Sequence, residues 1–104
     1  MLLTSLILAA APLPQLNAAQ QGALTCSAAL ALDAAQSRTA PPEATRAREF
    51  FVQTLAGIMD ETGADRAEVA ALAEAEARRL AAEPEALADL LPVCRTMLDV
   101  SGIR

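Results

Sequence analysis

Cys26 and Cys94 are the most reactive side chains in this sequence. One lies in GALTCSAALAL and the other in LLPVCRTMLDV, both apolar runs. There is no third cysteine and no histidine. Without histidine the commonest general base and metal ligand is missing. Two thiolates alone cannot complete a tetrahedral zinc site. Neither C-x-x-C nor C-x-x-C-H is present, which argues against thioredoxin-like exchange and covalent haem. Two chemistries remain. Thr25 can act as an N-cap, and a Cys26 thiolate just after it, at a helix start, would be stabilised by the helix dipole. Alternatively, Cys26 and Cys94 bond to each other. In an exported chain, two cysteines on apolar stripes favour that disulfide.

Carboxylates are the other reactive groups. Asp60/Glu61, Glu74/Glu76 and Glu83/Glu85 are one or two residues apart. Such neighbours diverge on a helix, so they read as solvated faces rather than paired acids. DETGAD lacks the ligand spacing of a calcium loop. These readings assign no catalytic residue, no metal and no cofactor, and the chain is expected not to be an enzyme.

The elements that place both cysteines follow from periodicity. A first helix is expected from about Cys26 to Ser37, with Cys26, Ala29 and Leu30 on one stripe. TAPPEA interrupts the chain, and Pro42 can open the next helix. Ala47, Phe50, Phe51, Leu55, Ile58 and Met59 recur there at helical spacing, ending at Thr62-Gly63. The set Phe50, Phe51, Leu55 and Met59 reads as core packing, or as an apolar interaction face.

Asp65 and Glu68 have capping-box spacing before a third helix with Val69, Leu72, Ala73 and Leu80 on its stripe. Glu74 and Arg78 are spaced for an exposed ion pair. After Glu83-Pro84, a fourth stripe of Leu87, Leu91, Cys94 and Leu98 runs through Pro92 to Ser101-Gly102. It predicts one helix kinked at Pro92, or two short helices meeting there. The fold class is therefore all-α, a small four-helix bundle. In an up-down-up-down bundle the start of helix one and the end of helix four lie at the same end, which would bring the cysteines together.

Composition bounds the rest. The chain has 104 residues, enough for one domain, and carries a net charge of −5 with arginine as its only basic residue type. An acidic chain without a basic patch argues against nucleic acid and against an anionic membrane surface. Much of the apolar content is alanine, and Phe50 and Phe51 are the only aromatics. A core of that kind is thin and gains from a staple.

No charged side chain occurs from Met1 to Leu32. Within that span LLTSLILAAA is too short to cross a membrane and fits the apolar region of a secretory signal peptide. Residues 1–19 are expected to be removed, leaving 20–104 as a single helical domain with no membrane span. The protein is expected to be periplasmic or secreted.

LTCSAALAL, REFFVQTLAGIMDETG and LLPVCRTMLDVSG resemble segments of short exported two-cysteine helical proteins of alphaproteobacterial type, uncharacterised in activity. The architecture is also similar to that of periplasmic acid-stress chaperones of the HdeA type, which are small, helical and closed by one disulfide. Three functions follow as expectations. The first is non-enzymatic contact with an unknown protein partner or with a second copy. The others are a stress holdase that opens on acidification and a thiol redox protein using Cys26.

Overall fold

The computed structural model describes residues 14–36 and 41–104. The apolar run LLTSLILAAA and the expected first-helix end at Ser37 lie outside the described residues. Among the described residues the chain forms four helices and no strand, an all-α bundle. The helices are α1 (Ala18–Gln36), α2 (Pro41–Thr62), α3 (Arg66–Ala81) and α4 (Pro84–Val100).

The first helix begins eight residues earlier than its periodicity suggests. Its cap is Asn17 rather than Thr25. The Gln20 backbone N–H donates to Asn17 Oδ1 at 2.8 Å, and the Asn17 N–H donates to Gln20 Oε1 at 2.9 Å. This is a capping box built from Asn and Gln, satisfying two groups that a helix start leaves open. Thr25 and Cys26 therefore stand in the middle of α1, away from the dipole's positive end.

α1 is the central helix and packs against all three others, which touch one another far less. Leu24 and Cys26 through Leu30 are all buried, so this stretch meets neighbours on every side. A helix that is apolar all round is buried in this way. Alanine, serine and cysteine keep the stretch thin, which lets three helices approach it. From Ala18 onward the uncharged span up to Leu32 thus has a structural cause, since it is the helix at the centre of the fold.

Two apolar clusters form along α1. The larger contains Cys26, Ala29, Leu30, Ala47, Phe50, Leu80, Leu87, Cys94 and Leu98. The smaller contains Leu24, Ile58, Val69 and Ala73, flanked by Leu16, Phe51, Leu55, Met59 and Leu72. Adjacent Phe50 and Phe51 thus serve different clusters. α2 runs antiparallel to α1. Its start meets the end of α1 around Ala31–Ala35, and Glu61 near its end accepts a hydrogen bond from Gln20 at 2.8 Å.

The ends of α2, α3 and α4 follow the expected punctuation. Gly63, with φ of 76°, closes α2, and Gly102, with φ of 86°, follows α4. Asp65 and Glu68 complete the capping box of α3. α4 is one helix that passes through Pro92. The proline ring removes the donor for the Ala88 carbonyl, on a face where both residues are exposed and water can replace it.

The topology of α4 differs from an up-down-up-down bundle. Cys94 meets the middle of α1, then Arg95 reaches Asp33 at 2.9 Å and Asp99 accepts from Arg46 at 3.0 Å. The last turns of α4 therefore lead toward the C-terminal end of α1. The cysteines join helix middles, not a shared end of the bundle.

Candidate functional site

The cysteines are joined. Cys26 and Cys94 form a disulfide across α1 and α4, with Cα atoms 5.0 Å apart and a sequence separation of 68. That separation lies within the range a disulfide can span. Cys26 is 4% exposed and Cys94 is 0% exposed, both inside the larger cluster. The expected thiol chemistry needed Cys26 at a helix start with a free sulfur. It is instead the ninth residue of α1, bonded and buried.

A buried polar link lies between the two apolar clusters. Glu76 is on the inner face of α3, because Val69, Ala73, Glu76 and Leu80 follow helical spacing and are all buried. The Thr25 hydroxyl donates to Glu76 Oε2 at 2.6 Å. Arg79 donates to the same carboxylate through Nε at 3.2 Å and Nη2 at 2.7 Å. The Arg79 hydrogen bonds hold the Glu76 carboxyl below its ordinary pKa; burial opposes this, and the Thr25 bond adds to it. Two residues after Thr25, the fully buried Ser27 donates its hydroxyl to the Leu24 carbonyl at 2.9 Å. No buried side-chain polar atom among the described residues lacks a partner.

Glu74 and Glu76 thus have separate roles. Glu74 forms the expected exposed ion pair with Arg78, while Glu76 is internal. The sequence held a signal for this, since Glu76 falls on the stripe of Val69, Ala73 and Leu80. Thr25 carried no such signal once it was read as a cap.

The expected interaction face divides in the same way. Phe50 is 7% exposed and belongs to the core. Phe51, Leu55 and Met59 are half-buried and, with Val52, Val69 and Arg66, line a hollow of about 230 Å³ between α2 and α3. Val52, at 54% exposed, stands at its rim. A second, more polar hollow lies between the start of α1 and the end of α2, lined by Asn17, Gln20, Gln53 and Glu61 among others. Among the described residues no three metal-ligating side chains come together, and no helix is long and apolar enough to cross a membrane.

Comparison with known proteins adds no relative: no family model, curated protein or solved structure matches this chain.

Proposed function

We propose that this chain is an exported, disulfide-stapled helical module that acts by non-covalent contact with protein, not by catalysis. The hollow between α2 and α3 carries this reading. It leaves Phe51, Val52, Leu55 and Met59 accessible in a chain whose two cysteines are bonded to each other. A stapled helical frame with an open apolar groove suits a helix or strand of another chain. The buried disulfide supports export, because such bonds persist in oxidising compartments. The likeness of the cysteine-bearing segments to short exported proteins points the same way.

The test is a photo-crosslinking residue placed at Val52 in the producing cell, with exposed Glu74 as the control site. A crosslinked protein from Val52 and none from Glu74 is expected. No product at Val52, or equal products at both sites, would refute contact through the groove.

A specific observation favours the acid holdase as a second reading. Four side-chain links join different helices, and each ends on a carboxylate: Gln20 to Glu61, Thr25 to Glu76, Arg46 to Asp99 and Arg95 to Asp33. Acid that protonates Glu76 would weaken its link to Thr25 and loosen α3 from α1, while the disulfide kept α1 and α4 joined. Light scattering from an aggregating client at pH 3 and pH 7 tests it. Protection at pH 3 alone is expected, and its absence removes the reading.

A further inference from the structure

Among the described residues three large apolar side chains are more than half exposed: Val52 at 54%, Val93 at 62% and Val100 at 78%. They lie on two separate surfaces. Val52 is at the rim of the hollow between α2 and α3. Val93 and Val100 are on α4, on one exposed stripe that runs Asp89, Val93, Thr96 and Val100. These spacings of four, three and four residues keep all four side chains on one helix face.

The two surfaces match in length and charge. The groove wall runs from Val52 to Met59, and the stripe from Val93 to Val100. Each is a seven-residue step, about 10.5 Å along a helix. Arg66 stands at the Met59 end of the groove, is exposed, and makes no ion pair among the described residues. Asp89 is likewise exposed and without an ion pair, four residues before Val93 and so about 6 Å beyond it along α4. That offset is within the reach of an arginine side chain. An acid followed by two valines is the complement of a basic end followed by an apolar groove.

We infer that the groove of one copy receives the α4 stripe of a second copy, with Asp89 of α4 meeting Arg66. This rests on the reading of the groove as a contact surface and names its occupant. The two faces differ, so the contact is heterologous. Each bound copy leaves one groove and one stripe open, and assembly continues past the dimer unless the ring closes.

The experiment is sedimentation velocity on the protein as the cell produces it, from about 10 µM to 1 mM, a range suited to a small interface. Wild type should sediment faster as concentration rises, with no stop at the dimer. Arg66→Asp and Asp89→Arg should each stay monomeric. An equimolar mixture of the two should regain the concentration-dependent growth of wild type, because every contact between unlike variants again places an acid opposite an arginine. Val93→Asp should also be monomeric. All these positions are exposed, and circular dichroism confirms that each variant folds.

Wild type that stays monomeric throughout overturns the inference, as does association that survives Val93→Asp or a mixture that stays monomeric. The underlying reading fails separately. A monomeric wild type that still yields a crosslinked partner at Val52 removes only the second copy as occupant; one that yields none removes both.

Discussion

Reducing the Cys26–Cys94 disulfide should cost this protein a large part of its stability. The bond closes 68 residues of chain, which contain all of α2 and α3. The chain-entropy relation gives about 15 cal/mol/K for a loop of that length, or about 4 kcal/mol at 25 °C. A domain of this size has a net stability of about 5–15 kcal/mol. This core has few large side chains: the larger cluster holds Phe50 and four leucines, and the rest of its buried members are alanines and the two cysteines. Its stability belongs near the lower end. At about 4–8 °C per kcal/mol, removal of the staple should lower Tm by more than about 15 °C.

The assay is thermal melting followed by circular dichroism. Protein reduced in denaturant and refolded with reductant is compared with the oxidised protein. Reduction leaves every side-chain atom but the bond in place, so it separates the staple from packing lost by mutation. A Cys26→Ala/Cys94→Ala double variant should melt at or below the reduced protein. A fall of less than about 3 °C on reduction would refute the reasoning, because it would mean that helix packing alone already constrains the chain.

Three further outcomes follow from the same structure. Glu76→Gln should destabilise the protein at pH 7 by about 1–3 kcal/mol, read from urea midpoints, because a charge-assisted link between α1 and α3 is lost. The carboxyl is held below its ordinary pKa in the fold, so its contribution is present above the unfolded value and disappears as pH falls through the folded one. Wild type and Glu76→Gln should therefore converge at low pH, and a gap that persists at pH 2 would contradict this account. Asp65→Ala should cost about 1 kcal/mol by removing the capping box of α3, while exposed Asp60→Ala should cost far less; equal losses in the same unfolding assay would count against the cap. Removal of residues 1–19 on export would take away the Asn17 cap of α1 and the Leu16 contact, so a chain beginning at Gln20 should melt below one that keeps both, and equal Tm values would show that α1 does without them.

The sequence by itself determined the local features. Helix ends were legible at Gly63, Asp65, Pro84 and Gly102 because proline, glycine and capping residues act within a few positions of the backbone. The apolar stripes of α2 and α4 were legible because helical spacing is a local property. The disulfide partners were legible because there were only two cysteines.

Tertiary structure decided three things that spacing cannot express. It showed that α1 starts at Ala18, where the uniform run of small uncharged residues offers no periodicity to mark one face. Where a helix is surrounded by three others, as from Cys26 to Leu30, it has no outward side, so spacing did not mark where it begins. Tertiary packing also decided that α4 leads toward the C-terminal end of α1 and meets it through the middle, since direction depends on which faces pack together. And it made Glu76 internal. A glutamate on an apolar stripe reads as an exception until Thr25, 51 residues away in sequence, is found to donate to it. The partner of a buried charge comes from another helix, and no local pattern in either helix names it.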